Sequence, residues 1–491
     1  MAFFELVNGE VQVNTFSANN QTTPVIAALP DGGYVVVWRS ANQDGSGNGI
    51  FGQRFNADGT TNGSEFRVNT TTANDQENPA IASTPTGFVV IWESFGQDGS
   101  DDAIAHRFVD INGSGNLVFG TEIRSNEFTT NNQAQPSVAV NASGVDFAVW
   151  DTVTHFDGNR GVVVNSLSTS SRTADVELSD AVNVNSTPNI TALANGNFLV
   201  SFNGSTGTEA HIISPIFTDV ANGSGVGGLL QLGAANGVTA GLTNGNFAFV
   251  TVSGDVTVQV FDGTGSSVST VQVANESTGF TLGAPFVTPL QDGGFLVTWN
   301  SQGQDGDSFG IFSRRFDDAG QPIGPEFLVN TTTTNAQSAP EVVQLASGEV
   351  VYVWKSEGQD GDSGGIFAQT VTLNNPVSLF GDAVIDDNQV GAGIFDNYDG
   401  TNVLSIDGDQ GGLIVTTDAI NIGLGNGSTG FVQLLGGEDD VRVEVTGDNP
   451  GDAAPVNVGR ILLIFIINGA ETIEGIFVGG DIELVVAVGT V

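Results

Sequence analysis

The hydrophobic positions of this chain recur as short runs, and the clearest is GYVVVW, which begins at Gly33. All five tryptophans of the chain end a run of this kind. They are Trp38, Trp92, Trp150, Trp299 and Trp354. Because chance would not place every tryptophan in the same motif position, the chain carries an internal repeat, and the fold is predicted from that repeat.

A full repeat unit predicts four short strands separated by turns. The first strand reads PVIAAL or PEVVQL, and the second reads YVVVW, FVVIW, FLVTW or VVYVW. A QDGS or QDGD loop leads to the third strand, IFGQRF or IFSRRF, and the fourth reads EFRVN or EFLVN. Units begin at Pro24, Pro79, Pro136, Pro188, near Gly237, at Pro285 and at Pro340. A spacing of roughly 50 residues is typical of a four-stranded propeller blade.

The second strand is apolar on both faces. Alternate residues of Tyr34 to Trp38 point to opposite sides of the sheet, yet all five are large and hydrophobic. A sheet in a two-layer sandwich would turn one face to water, whereas a blade packed between two other blades would not. In two weaker units Phe202 and Thr251 occupy the tryptophan position, and these units are still interpreted as blades.

The two ends of the repeat region complement each other. The last unit stops after IFAQTVTL and lacks its fourth strand, whereas the chain opens with GEVQVN, which matches that strand. Val11 to Asn14 therefore complete the sheet begun at Pro340, as in a closed ring. The predicted fold is all-β, with a seven-bladed β-propeller over residues 1–373 closed by the N-terminal strand.

Residues 374–491 do not continue the repeat, and their β-like runs predict a second all-β domain. Its most apolar run is RILLIFIIN, from Arg460 to Asn468. This run suits a central buried strand. It equally suits a strand exchanged with a second molecule, because main-chain hydrogen bonds bind and apolar side chains fix the register.

The composition of the chain limits the classes of partner that it can bind. With 55 acidic against 12 basic residues the formal charge is −43, which excludes nucleic acid as a natural partner and favours divalent cations or a saline medium. The chain has no cysteine, and therefore no disulfide or thiolate site. The longest apolar run, Ile461 to Ile467, is far shorter than the ~20 residues of a membrane helix, so we expect no membrane insertion. The N-terminus does not resemble a Sec signal peptide.

The tandem units resemble a bacterial secreted family with the pattern DGGFVVVW, then QDGSGxGIF, then QRF and EFxVN. Residues 29–69 and 290–330 follow this pattern closely. The resemblance implies a β-propeller, an extracellular or cell-surface destination, and export by type I secretion, which reads a C-terminal signal. The final residues GGDIELVVAVGTV are similar to such a signal. The nonapeptide calcium repeats that often accompany this family are absent from the sequence.

The QDG loops are the candidate calcium sites, because they place oxygen-bearing side chains at alternate positions around glycine. The candidate ligands are Asp44, Ser46, Asn48, Asp98, Ser100, Asp102, Asp305, Asp307, Asp360 and Asp362. The loop from Asp98 to Asp102 is the fullest set. The alternative is a turn in which the aspartate accepts a hydrogen bond from the backbone two residues on and the glycine takes a positive φ.

Amides also recur at fixed places in the repeat. They are Asn14, Asn69, Asn330, Gln21, Gln76, Gln133 and Gln337. Repeated amides at a blade corner usually satisfy backbone groups, so we expect a structural role rather than ligand binding.

No catalytic constellation is evident. The three histidines fall at unrelated places in the repeat, so a Ser-His-Asp triad has no support. A pair of catalytic carboxylates is neither supported nor excluded among 55 acidic residues. The first hypothesis is therefore a non-enzymatic, extracellular structural or adhesive protein that self-associates through its C-terminal domain. The alternatives are a lectin-like propeller that binds surface glycans, and a propeller enzyme.

Overall fold

The structure is a computed structural model that describes residues 4–153, 160–168, 175–179, 186–204, 207–215 and 226–373, together with the backbone of the strands beyond residue 373. Described secondary structure is entirely β, and within the described residues no helix is long and apolar enough to span a membrane. The chain divides into two compact units, Leu6–Val371 and a second that begins at Thr372 and includes the first few residues.

The first unit consists of antiparallel sheets whose strands pair in sequence order, apart from the N-terminal strands that complete the last sheet. Blade 1 has strands Gln21–Ala28, Tyr34–Ala41, Asn48–Phe55 and Phe66–Arg67. Blade 2 has Gln76–Thr84, Gly87–Phe95, Asp102–Ile111, Leu117–Phe119 and Ile123–Arg124. Blade 3 has Gln133–Val140, Asp146–Thr152, Gly161–Asn165 and Val176–Ser179. Blade 4 has Asn189–Ala192, Phe198–Asn203, Thr208–Ile213 and Leu230–Gly233.

The remaining blades follow the same plan. Blade 5 has Val238–Gly241, Phe247–Ser253, Asp255–Phe261 and Gln272–Val273. Blade 6 has Thr281–Pro289, Phe295–Gln302, Phe309–Phe316 and Pro322–Leu328. Blade 7 has Gln337–Gln344, Val350–Glu357 and Gly364–Leu373, and is completed by Phe4–Leu6 and Val11–Gln12. The two weaker repeat units are therefore blades 4 and 5.

These sheets form a ring. The first strand of each blade contacts the first strand of the next, and the series returns from blade 7 to blade 1. The predicted seven-bladed β-propeller is confirmed.

The N-terminal strand closes the ring as predicted. Val11 pairs with Ala368 and Gln12 with Phe367, the residue opposite Trp354. The N–H of Val13 donates to the carbonyl of Ile366 at 2.8 Å. The N-terminal strand covers the outer side of Gly364–Leu373, which would otherwise be the exposed edge of the last blade.

Apolar side chains fill the spaces between blades, which explains why the second strand is hydrophobic on both faces. Trp92 packs with Val35 and Val37 of blade 1, and Trp38 packs with Val351 and Val353 of blade 7. Trp150 and Trp299 likewise pack with residues of the preceding blade. All five are at most 1% exposed, so they belong to the core and not to a ligand-facing surface.

Beyond residue 373 the described strands pair in two sheets. One sheet contains Pro376–Ser378, Gly411–Val415, Gly430–Leu435, Arg460–Ile467 and Glu483–Thr490. The other contains Gly393–Asp396, Val403–Asp407, Ala419–Leu424, Val441–Gly447 and Ile473–Val478. The proposed domain boundary, residues 374 and 375, lies outside the described residues.

Pairing in this part is parallel except between Gly393–Asp396 and Val403–Asp407. Strand Arg460–Ile467 pairs with Gly430–Leu435 on one side and with Glu483–Thr490 on the other. The apolar run is therefore an interior strand, and Glu483–Thr490 forms the edge of its sheet.

Candidate functional site on the loop face

One face of the propeller carries the repeated polar motifs. In a four-stranded antiparallel blade, the loop between strands two and three emerges at the same end as the link from strand four to the next blade. The QDG loops and the polar links therefore share one face, here called the loop face. It includes all ten residues proposed as calcium ligands.

Each QDG aspartate forms the turn that was the alternative to a calcium site. Asp44 Oδ1 accepts from the N–H of Ser46 at 3.1 Å, and Asp98 Oδ1 accepts from the N–H of Ser100 at 3.0 Å. Asp305 and Asp360 make the same bond to residues 307 and 362, each at 3.3 Å. The glycines between have φ of 92° to 102°, a conformation that glycine adopts without steric cost.

The second oxygen of each aspartate holds a buried amide of the repeat. Asn69 Nδ2 donates to Asp44 Oδ2 at 3.1 Å, to Gln76 Oε1 at 3.0 Å and to the carbonyl of Thr71 at 2.8 Å. Asn69 Oδ1 accepts from the N–H of Ile50 at 2.8 Å. The same set of bonds surrounds Asn14, Asn126 and Asn330. The amides therefore bond to backbone groups at the blade corner, and they also join consecutive blades.

Four of the six other proposed calcium ligands also form side-chain hydrogen bonds. Asn48 Nδ2 donates to Glu77 at 2.7 Å, and Ser100 Oγ accepts from the N–H of Asn131 at 3.1 Å. Asp307 Oδ2 and Asp362 Oδ2 accept from backbone N–H groups at 2.8 and 2.7 Å. Among the described residues no three histidine or acidic side chains form a group that could hold a metal ion. Calcium binding by these loops stays a prediction. A bound calcium ion would take the place of the backbone N–H groups that now donate to the aspartate oxygens.

A glutamate four positions before each amide locks the neighbouring link, and the sequence reasoning missed this role. Glu122 accepts from the N–H of Thr71 at 3.2 Å, from the Thr71 hydroxyl at 2.6 Å and from Gln97 Nε2 at 2.7 Å. Burial raises the pKa of Glu122, but the bonds from Thr70 and Thr71 outweigh it and hold the pKa below its usual value. The motif GxEFxVN was the available signal, because it repeats the glutamate in register with the asparagine.

Glu10, Glu65 and Glu326 do the same at other interfaces. Each accepts from the link of the preceding blade and from the QDG glutamine of its own blade. The glutamine and glutamate of the motif therefore serve blade assembly.

Carboxylates concentrate at the loop-face end of blade 2. Glu77 and Glu93 lie directly opposite each other on paired strands, which places like charges side by side. Arg39 of blade 1 forms an ion pair with Glu77 at 3.0 Å. Burial raises the pKa of Glu93, and the negative charges of Asp102 and Glu77 raise it further, although Gln135 and Asn78 donate hydrogen bonds to it.

Asp102 belongs to the same group. Burial raises its pKa, and the charges of Glu77, Asp101, Asp75 and Asp98 add to that effect. The ionised form of Asp102, a proposed calcium ligand, is thus disfavoured by burial and by its neighbours. The sequence analysis named Asp98 and Asp102 as candidate ligands but did not predict that Glu77 and Glu93 lie near them.

An aromatic side chain is exposed beside this acidic group. Phe95 is 45% exposed and pairs across the sheet with Asp102. Its N–H donates to the carbonyl of Asp75 at 2.9 Å, and its carbonyl accepts from Asn74 Nδ2 at 3.3 Å. The phenyl ring is therefore carried on a fixed backbone at the loop face.

Comparison with known proteins yields no match to any family model and none to a curated protein. Solved structures of low similarity do match. A fungal alcohol oxidase of the AA5 family, solved with copper, is 13% identical with a TM-score of 0.48, and the match covers 76% of each chain. The Dos1 propeller is 10% identical with a TM-score of 0.43, covering 76% of this chain and 96% of that one. A Hadza microbial sialidase, Hz136, is 8% identical with a TM-score of 0.42, covering 72% and 65%. Such identities bear on fold and not on activity.

Proposed function

We propose that this chain is a non-enzymatic, extracellular structural or adhesive protein whose propeller is a stiff acidic disc. One observation carries the proposal: the repeated polar side chains of the loop face are used in hydrogen bonds between blades. Asn69, Gln76 and Glu122 each bond to a neighbouring blade or link. A repeat whose polar side chains hold the blades rigidly together suits a structural building block better than a catalytic site.

Self-association belongs to this proposal, with the C-terminal unit as the contact. Because Arg460–Ile467 is paired on both sides, exchange of that strand would break two ladders. Addition to the edge strand Glu483–Thr490 breaks none, so we assign the contact to that edge.

Electron microscopy and light scattering of the full chain test this assignment. We expect fibres or sheets in the wild type, loss of them in Val485→Pro or Val486→Pro, and retention in Val486→Thr, which keeps the backbone N–H. Two proline positions are needed because successive N–H groups point to opposite sides of a strand. Dispersed monomers of the wild type at every calcium and salt concentration would contradict self-association.

Glycan binding is the second candidate, and the exposed ring of Phe95 beside Asp101 and Asp102 favours it. A sugar ring stacks on an aromatic face while carboxylates accept from its hydroxyl groups. We expect the wild type to bind glycans on an array and Phe95→Ala to abolish this binding. Phe280→Ala is the control and should leave binding intact, because Phe280 is a second exposed phenylalanine, at 36%. An array without hits for the wild type would refute this candidate.

A further inference from the structure

Four of the five tryptophans have a buried indole N–H with no hydrogen-bond partner among the described residues. They are Trp38, Trp92, Trp299 and Trp354, and each is 0% exposed. Buried polar groups in folded proteins are nearly always paired, either with protein atoms or with ordered water. Four copies of the same unpaired donor at equivalent blade interfaces indicate a built feature of the repeat.

The serine two positions after the tryptophan repeats the pattern. Ser94, Ser301 and Ser356 are 0% exposed, and their hydroxyl oxygens also have no partner in the described part of the chain. Alternate residues of a strand share a face, so the indole and the hydroxyl face the preceding blade together. The interfaces of Trp92, Trp299 and Trp354 therefore each hold two unpaired polar groups on one surface. At Trp38 the equivalent serine, Ser40, accepts from Gln21 Nε2 at 3.5 Å.

A carboxylate oxygen lies at the same level of the sheet. Gly310 is opposite Ser301, and Gly365 is opposite Ser356. A Cβ on Gly310 would lie 2.6 Å from Asp305 Oδ2, and one on Gly365 would lie 2.7 Å from Oδ2 of the equivalent QDG aspartate. The glycine of the GIF motif is thus required for the aspartate to reach over the third strand beside the serine.

We propose that the interfaces of Trp92, Trp299 and Trp354 each bind one water molecule, held by the indole N–H, the serine hydroxyl and, in blades 6 and 7, the QDG carboxylate. In blades 6 and 7 the indole N–H is a donor, the serine hydroxyl can donate or accept, and the carboxylate is an acceptor. Three partners are the usual number for a buried water. An apolar ligand would leave the indole N–H and the serine hydroxyl unpaired, and a cation would meet the indole N–H.

The sign of a change in Tm decides between hydrated and dry sites. If water is bound, Ser94→Ala, Ser301→Ala and Ser356→Ala each remove one of its hydrogen bonds, and Tm falls by roughly 1–2 °C per site. If the sites are dry, a methyl group replaces an unpaired hydroxyl and Tm stays the same or rises, which would overturn the proposal. Ser313→Ala is the control, because Ser313 Oγ bonds Tyr352 at 3.1 Å and Tm must fall in either case.

A second measurement does not depend on stability. Oxygen-17 relaxation dispersion counts long-lived internal water in the intact chain. We expect the triple serine variant to lose water relative to the wild type, and an unchanged count would overturn the proposal.

Discussion

Glu10 accepts two hydrogen bonds from Thr332, a residue 322 positions later in the chain: one from the N–H at 2.9 Å and one from the hydroxyl at 2.8 Å. Gln359 Nε2 adds a third at 2.7 Å. The start of the chain is therefore tied to the link between blades 6 and 7 and to the QDG loop of blade 7. Ring closure rests on side chains as well as on strand pairing.

Replacing Glu10 should weaken closure. We expect Glu10→Ala to lower the free energy of unfolding by about 2–4 kcal/mol, because several hydrogen bonds to a charged group are lost. Urea unfolding measures this. Glu5→Ala is the control, since Glu5 is exposed. Equal stability of the two variants would show that closure does not depend on Glu10.

Stability should also depend on the ionisation of Glu10. Burial raises its pKa, but bonds from Thr332 and Gln359 outweigh this and lower the pKa below its usual value of 4.5. A lowered folded-state pKa means that the contribution is present above pH 4.5 and is lost as pH falls through the folded-state value. Urea unfolding from pH 6 downward should therefore show a smaller acid loss for Glu10→Gln than for the wild type.

Ionisation of Glu341 should change stability with pH in the opposite direction to that of Glu10. It is half-buried in the first strand of blade 7, where its Oε2 accepts from the N–H of Ile26 at 3.2 Å, and burial raises its pKa to about 8. Its contribution is present below pH 4.5 and is lost as pH rises towards 8. We expect Glu341→Gln to remove this loss and raise Tm near pH 8, while Glu349→Gln does not. A Tm difference that is independent of pH would contradict the assignment.

The tryptophan position should dominate the stability of the blade interfaces. Trp92→Ala removes a fully buried side chain and should cost about 3–5 kcal/mol, whereas Phe95→Ala, three positions on and 45% exposed, should change stability by less than about 0.5 kcal/mol. Calorimetry and urea unfolding measure both. Similar losses for the two variants would contradict the packing of Trp92 against blade 1.

Calcium should stabilise the loop face if it binds there. Burial and the charges around Asp102 raise its pKa, and a divalent ion would relieve the repulsion between those charges. We expect Tm to rise with millimolar calcium and to fall with chelator, since an ion that binds only the folded state stabilises it by mass action. Asp102→Asn should reduce the rise, and Asp58→Asn, at a fully exposed turn, should not. No response of the wild type to calcium would refute the site.

The sequence by itself determined the architecture of the propeller. Five tryptophans in one motif position, strands apolar on both faces, and a terminal strand that matches the missing one were enough, because local hydrophobic pattern and the need to pair every edge leave few arrangements. The same reasoning placed the repeated amides in the blade corners. It also set out the turn formed by Asp44 and its equivalents as one of two alternatives.

Only the tertiary structure decided which side chains meet across blades. Glu77 and Glu93 are 16 residues apart in the sequence, but the hairpin register of blade 2 sets them side by side, and Asp102 joins them from the third strand. The link from Glu10 to Thr332 depends on closure of the whole ring. Such contacts are set by register and blade packing, which act between residues distant in the chain and leave no local pattern in the sequence.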